Sequence, residues 1–337
     1  MKPAIIPVAT MLAVHMLAPS ARAAAPQDVP LQLTLPSPDP AQLAQATAPD
    51  GSVPAPVPAT APMYSGSGFI ANWLNTANQA QAMQPHWMTP LVTVTPRLEQ
   101  EIRYDQYWEK RGNGSDLDIF DAGKGLELIP TLTNEILINP PAYQEKVNVG
   151  KPVSGWLDDQ FLVVKQRLLT ANEQEGNYIV TAFLQESTAL GTAGKISTNV
   201  DVLQPTLALG KGWGNFDIQM TLSEQFPIAG LSAPGTPTSI NMSNFGDPFL
   251  WNTTFQYHLF EYFWPELEVN YEYWPNGEHV GLSQVLLTPG VILGRFRIGM
   301  DSPTRPINLI VGAGYQVAVT PNPVVQNNFV GTIRITF

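Results

Sequence analysis

The chain has 337 residues and a formal net charge of −11, and only 13% of its residues are charged. Average soluble domains carry about 25% charged residues, so this composition is unusual for a soluble protein. The acidic balance argues against a nucleic-acid partner, which would need a basic face. Because the sequence has no cysteine, disulfides and thiolate metal sites are excluded.

The N-terminus predicts export, followed by a region without a fold. Lys2 precedes an apolar stretch, Ala4–Leu17, and Ala21-Arg22-Ala23 has the small-residue spacing of a cleavage site. We therefore expect residues 1–23 to be a signal peptide. Residues 24–64 are dominated by proline and alanine, which cannot bury a core, and we expect them to form a disordered periplasmic leader.

Residues 65–90 predict a short helical segment, because Phe69, Ile70, Trp73 and Leu74 recur at helical spacing. Two placements of this helix are open. It packs against the mouth of a barrel, or it enters the barrel as a plug. The short length and narrow apolar stripe favour the mouth.

From about residue 91 the pattern changes to an alternation of apolar and polar residues, which predicts β-strands with two unlike faces. About eleven strands are recognisable in this way, with residues 125–138 counted as one. Because bacterial outer-membrane barrels have even strand numbers, we predict an all-β fold, an antiparallel transmembrane β-barrel of about 12 strands, with about 10 as the fallback. The barrel is expected to span residues 91–337, and the missing strand to lie within Leu286–Asp301 or before Leu98.

The two faces of these strands predict two environments, with apolar side chains towards lipid and charged side chains towards an enclosed lumen. No apolar run long enough for a spanning helix follows the N-terminus. A secreted soluble barrel would reverse the faces, and periodicity alone does not separate the two. The predicted lumen-facing residues are Arg97, Glu99, Glu101, Arg103, Asp105, Glu127, Glu135, Lys165, Arg167, Asp217, His258, Glu266, Glu268, Glu272 and Arg334.

The last predicted strand, Asn327–Phe337, places Phe329, Ile333, Ile335 and Phe337 on one face. An amphipathic strand that ends in phenylalanine resembles the C-terminal signature of bacterial outer-membrane barrels. The resemblance implies that the barrel assembly machinery reads this strand. We therefore expect the protein in the bacterial outer membrane, with membrane lipid and the assembly machinery as partners.

Several short runs resemble a proteobacterial outer-membrane transporter family that carries the label of a MetA pathway of phenol degradation. The resemblance implies a barrel that moves small molecules, aromatic or hydrophobic ones among them, and it offers no catalytic residues to carry over. The runs are Pro85–Trp87, Thr93–Glu99, Gly123–Glu127, Gly210–Gly214, Trp264–Glu268, Leu287–Gly290 and Gly312–Gln316.

The favoured function is a passive channel for a small-molecule solute, whose acidic lumen would favour cations or neutral solutes over anions. A structural or adhesin-like barrel, plugged by its own ion pairs, is the main alternative. An outer-membrane lipid hydrolase is disfavoured, because it needs a nucleophile beside a base and no serine lies at the required spacing from His258. The sequence therefore predicts no enzyme, no cofactor and no metal site.

Overall fold

A computed structural model of the chain describes residues 68–122, 125–148, 150–192, 196–230, 238–302 and 305–337. The expected signal peptide and proline-rich leader lie outside the described residues.

The described residues form two helices and a set of antiparallel strands. The helices are α1 (Phe69–Ala82) and α2 (Thr238–Phe245). The strands are β1 (Glu101–Arg111), β2 (Asp116–Phe120), β3 (Gly125–Leu128), β4 (Asn134–Ile138), β5 (Tyr143–Val147), β6 (Val153–Trp156), β7 (Asp159–Ala171), β8 (Tyr178–Thr188), β9 (Val200–Trp213), β10 (Phe216–Glu224), β11 (Phe226–Gly230), β12 (Phe249–Tyr257), β13 (Phe263–Tyr273), β14 (Ser283–Ser302), β15 (Arg305–Ala318) and β16 (Val325–Thr336).

The sheet closes on itself, because β16 pairs with both β15 and β1. Four wall strands are interrupted. Each of these four consists of two consecutive segments that lie end to end in the wall: β2 and β3, β4 and β5, β6 and β7, and β10 and β11. With each pair counted once, the barrel has 12 strands, which confirms the predicted fold class and number.

Two strand assignments made from the sequence were wrong. The stretch 125–138, predicted as one strand, is two strands, β3 and β4, joined by a turn over 129–133, and this is the missing strand. Leu286–Asp301 hides no turn, because β14 runs without interruption from Ser283 to Ser302. The first wall strand begins at Glu101, ten residues later than the predicted barrel start near residue 91.

The two ends of the barrel differ in the length of their connections. At one end, here called the short-turn end, neighbouring strands are joined by the turns 129–133, 172–177, 214–215 and 258–262. The opposite, long-loop end carries the longer connections 189–199, 231–248 and 274–282. Glu101 pairs with Thr336, so the chain enters and leaves the wall at the short-turn end.

Buried charged side chains line the inside of the wall and exposed apolar side chains line its outside, while a smaller apolar set is also buried in the interior. Glu101, Arg103 and Asp105 are at most 1% exposed, whereas Ile102, between the first two, is 53% exposed. Ile333 on β16 is likewise 52% exposed. This is the sorting predicted from the alternation, and it is the reverse of a soluble lipocalin-like barrel.

Helix α1 packs at the short-turn end. Its Ala77 and Ala80 are fully buried against Leu98 and Ile129, and the indole N–H of Trp73 donates to the Ile129 carbonyl at 2.8 Å. The helix therefore lies at the mouth, as the favoured placement has it. Neither helix in the described part of the chain combines the length and the hydropathy that a membrane span requires.

Candidate functional site

The segment between α1 and β1, residues 84–100, enters the barrel and returns to the wall, and is called the lumen loop here. The Gln84 side chain joins its two arms. Its amide nitrogen donates to the Leu98 carbonyl at 2.8 Å, and its oxygen accepts the Leu98 N–H at 2.9 Å. Met88 and Leu91 are 1% and 0% exposed. The plug that sequence reasoning disfavoured therefore exists, but it follows the helix rather than being the helix.

The Leu91 side chain packs into a socket of the wall that is formed by three glycines. A Cβ atom added at Gly290, Gly312 or Gly314 would lie 2.5, 2.8 or 2.7 Å from a methyl carbon of Leu91. These distances are too short for real Cβ contacts, so the leucine fits only because three wall positions on β14 and β15 are glycine. The wall is thus shaped to its occupant.

A second socket on β9 receives Trp87. A Cβ atom at Gly212 would lie 2.6 Å from the indole nitrogen of Trp87, and one at Gly210 would overlap the indole ring. The two sockets hold the loop at two points of the wall. Their glycines alternate along a strand, so they share the inward-facing parity.

Two carboxylates of β13 bind the backbone of the lumen loop. Glu266 accepts the N–H of Leu91 at 3.0 Å. Glu268 accepts the N–H groups of Val92 and Thr93 at 2.7 and 2.6 Å. Hydrogen bonds to charged groups contribute about 1.5–3 kcal/mol each. The loop has no helix or sheet partner for these donors, so the wall carboxylates satisfy them.

Two guanidinium groups bind the backbone carbonyls of the same loop. Arg103 on β1 donates to the Leu91 carbonyl at 2.6 Å. Arg334 on β16 donates to the carbonyls of Thr89 and Pro90, the latter at 2.7 Å. Backbone donors of the loop are therefore bound by carboxylates of β13, and its backbone acceptors by guanidinium groups of β1 and β16.

The opposite wall binds the loop through an uncharged side chain. Gln219 on β10 accepts the Thr95 hydroxyl at 2.7 Å and donates to the Met88 carbonyl at 2.8 Å. Gln219 is fully buried. The loop thus bridges the lumen from β1 and β16 to β10.

Three further carboxylates of the lumen are held in ion pairs, whereas Glu101 and Asp217 each keep one buried oxygen without a hydrogen-bond partner among the described residues. Arg103 contacts Asp105 at 2.9 Å, and Lys165 contacts Glu135 at 2.8 Å and Glu127 at 3.8 Å. All five side chains are buried. Pairing of this kind offsets part of the desolvation cost of burying such charges.

Most of the predicted lumen-facing residues occupy the inward face of the wall. Arg97 and Glu99 do not lie on a strand as predicted. They form an ion pair at 3.2 Å on the lumen loop itself. His258 lies in the turn after β12 and stacks on Trp264 at 4.0 Å, and Glu272 is half-buried, bound to Gln284 at 3.0 Å. The inward-facing and buried predicted wall residues are Glu101, Arg103, Asp105, Glu127, Glu135, Lys165, Arg167, Asp217, Glu266, Glu268 and Arg334.

The lumen loop leaves little free space at its own level. Beside Thr89 and Thr95 the cavity is about 10 Å³, close to the room needed by one water molecule. A cavity of about 260 Å³ lies at the short-turn end, between α1 and the last strands, lined in part by His86, Arg97 and Arg295. In the described residues the lumen is therefore filled at mid-height and open towards the mouth.

No family model and no curated protein matches the sequence, so the resemblance to the transporter family is not confirmed. The chain is similar to the solved structure of an outer membrane channel from Pseudomonas putida F1, at 11% identity and a TM-score of 0.44, over 70% of this chain and 92% of that one. It is also similar to the NanC porin, at 8% identity and a TM-score of 0.40, over 70% of this chain and 98% of that one. Similarity this low supports no transfer of function.

Proposed function

We propose that this protein is an outer-membrane channel for small solutes, and that its lumen loop holds it closed. The outward face supports the membrane location. Ile102, Leu184 and Ile333 are 53%, 45% and 52% exposed on a closed wall, and such a surface is stable against hydrocarbon. A closed barrel also leaves no unpaired strand edge, which is the condition for crossing lipid with strands.

Aromatic side chains on the outer face support the same location. Trp108, Trp251 and Tyr273 are 47%, 47% and 38% exposed, as in the interfacial girdles of membrane barrels. The exposed faces of Phe329 and Ile335 on β16 are consistent with a strand that the assembly machinery reads. Short turns typically face the periplasm, so we propose that the lumen loop enters from that side.

One observation carries the channel function. The barrel is filled at mid-height by a segment that is not part of its wall, and this segment is held by sockets and hydrogen bonds. A purely structural barrel could fill its lumen with wall side chains alone. Withdrawal of the loop would uncover charged and polar wall side chains together with the apolar positions that now pack on the loop. The charged and polar positions are what a path for a hydrated solute requires.

Each histidine in the described residues contacts a neighbouring side chain. His86 pairs with Glu173 at 3.0 Å, His258 stacks on Trp264, and His279 packs against Trp274. In the described part of the chain, none of these contacts sets a nucleophile beside a base. The competing function that we retain is a structural barrel whose lumen loop never leaves.

The substitution Glu268→Gln tests the proposal. It keeps the size of the side chain but removes the charge that binds the N–H groups of Val92 and Thr93. The loss of about 1.5–3 kcal/mol from the closed state should raise the open-to-closed ratio by roughly tenfold to a hundredfold, as measured by single-channel recording in planar bilayers. Before recording, the variant should fractionate with outer membranes and show a heat-modifiable gel shift.

Glu272→Gln is the matched control. Glu272 lies on the same strand with the same inward parity, but it accepts the amide of Gln284 rather than the backbone of the loop. We expect its variant to gate like the unchanged protein. Folded Glu268→Gln protein that stays silent in the bilayer would favour the structural barrel.

A further inference from the structure

The cavity of about 260 Å³ at the short-turn end holds two guanidinium groups side by side. Arg97, on the lumen loop, and Arg295, on β14, both line it. Both donate to one acceptor, the backbone carbonyl of Trp87, in the case of Arg295 at 3.2 Å. Two cations that share one acceptor lie close together and repel each other. The loop and the wall therefore concentrate positive charge at one spot of an otherwise acidic protein.

The positive charge of this pair is only partly balanced. Arg97 has one ion-pair partner, Glu99, at 3.2 Å. No carboxylate of the described residues lies within ion-pair distance of Arg295, although Glu99 and Phe337 line the same cavity. The Nε–H of Arg97 is buried and has no hydrogen-bond partner in that part of the chain. Because a buried donor without an acceptor is costly, the pair has room for one more acceptor, preferably a negative one.

The rest of the lining limits what that acceptor can be. Ala82 and Pro306 add apolar surface to the cavity. Glu99 adds a negative charge, which opposes a dianion such as phosphate. The volume is slightly below the range of about 300–1,000 Å³ that is typical of sites for drug-sized ligands. These features fit a small monocarboxylate with an apolar body, because the two oxygens of a carboxylate match the fork of a guanidinium.

We infer that this cavity binds the carboxylate of a small apolar acid between Arg97 and Arg295, and that the bound acid keeps the lumen loop in place. The second part rests on the proposed channel function. Arg97 and the Trp87 carbonyl belong to the loop, whereas Arg295 belongs to the wall, so the site is complete only while the loop occupies the lumen. A ligand that binds one of two states stabilises that state. Acid that accumulates at the mouth therefore reduces opening.

Calorimetry on the folded full-length protein tests the site without reference to conduction. The probes are cyclohexanecarboxylate and cyclohexanecarboxamide, which have nearly the same shape but differ in charge. We expect the carboxylate to bind roughly tenfold more tightly, because charge-assisted hydrogen bonds are about twice as strong as neutral ones. Arg295→Gln should abolish this preference. The control, Arg297→Gln, removes an exposed guanidinium of the same strand that does not line the cavity, and should retain it.

Single-channel recording tests the effect of the acid on the loop. The Glu268→Gln protein is used, because its weakened loop contacts should give measurable openings. At about ten times its dissociation constant, the carboxylate should lower the open-to-closed ratio roughly tenfold. The carboxamide, which binds about tenfold more weakly, should lower the ratio at the same concentration by no more than about twofold.

Three results would contradict these expectations in different ways. Equal affinity for the two probes, or the same loss of affinity in Arg295→Gln and Arg297→Gln, would overturn the inferred site. Binding of the carboxylate that leaves the open-to-closed ratio unchanged would overturn its effect on the loop. Folded Glu268→Gln protein that binds the carboxylate but never conducts would overturn the proposed channel and leave the binding site intact.

Discussion

Single glycine residues decide whether the lumen can hold its loop. Gly314 is the clearest case, because a Cβ atom there would lie 2.7 Å from Leu91, 3.1 Å from Thr288 and 3.3 Å from the Pro289 carbonyl. Gly331 on β16 faces outward, and its nearest neighbour would be the ring of Trp108 at 3.8 Å. A side chain at Gly314 would therefore clash with Leu91 in the socket, whereas a side chain at Gly331 would meet little on the outer surface.

Gly314→Val should push Leu91 out of its socket and destabilise the closed state by about 1–3 kcal/mol, the usual cost of overpacking. The expected result is more frequent opening in single-channel recordings. Gly331→Val is the control with the same substitution and should gate normally. Normal gating of folded Gly314→Val would mean that the socket does not hold the loop.

For single residues, the sequence predicts which face of the wall a side chain occupies better than it predicts which group that side chain binds. Alternation places Glu266 and Glu268 inside, where they lie. It predicts ion pairs between neighbouring strands, but these carboxylates bind the backbone of a loop about 175 residues away in sequence. Inward glycines at alternate positions, such as Gly312 and Gly314, are the signal that could have shown an internal occupant.

The lumen loop is the element that sequence reasoning assigned incorrectly. The alternation of the first strand continues backwards through Arg97 and Glu99, so these residues were expected in the wall. Pro90 and Pro96 lack the N–H that a sheet ladder needs, and the backbone between them bonds to wall side chains instead. The wall strand therefore starts only at Glu101.

His86, near the start of the lumen loop, makes a contact that responds to pH. Glu173, in the turn 172–177, accepts the backbone N–H of His86 and contacts its ring nitrogen Nδ1 at 3.0 Å. Partial burial acts to raise the pKa of Glu173, but the hydrogen bonds from His86 outweigh it and lower that pKa to about 2. A lowered pKa means that the contact stabilises the folded state above the ordinary value of 4.5 and is lost as pH falls towards 2.

We therefore expect acidification from pH 4.5 towards pH 2 to weaken the contact between Glu173 and His86 and to raise the open probability of the protein. Glu173→Gln should remove that part of the pH response, because it no longer titrates. Glu175→Gln, in the same turn, should retain it. If recordings in planar bilayers give the same pH response for all three proteins, the contact between Glu173 and His86 does not control gating.

For the molecule as a whole, the even strand number and the inside-out sorting were predictable, but the interruptions of the wall were not. The segments 112–123 and 139–156 contain many polar and glycine residues and suggest loops, yet they hold β2, β5 and β6. The break between β2 and β3 interrupts the alternation, but both segments belong to the barrel wall because both pair with β1. Barrel closure imposes these strands where local pattern does not.

The central claim is that the lumen loop must leave its sockets before solute passes, and a reversible tether tests it most directly. In this cysteine-free chain, Leu91→Cys with Gly314→Cys sets one thiol pair at the socket, where a Cβ at Gly314 would lie 2.7 Å from the Cδ1 atom of Leu91. Formation of the disulfide is verified by mass spectrometry before recording. Leu91→Cys alone serves as the control. Single-channel recording should show a silent protein when the pair is oxidised and openings after a reductant is added. Equal conductance of the tethered and reduced forms would contradict the claim.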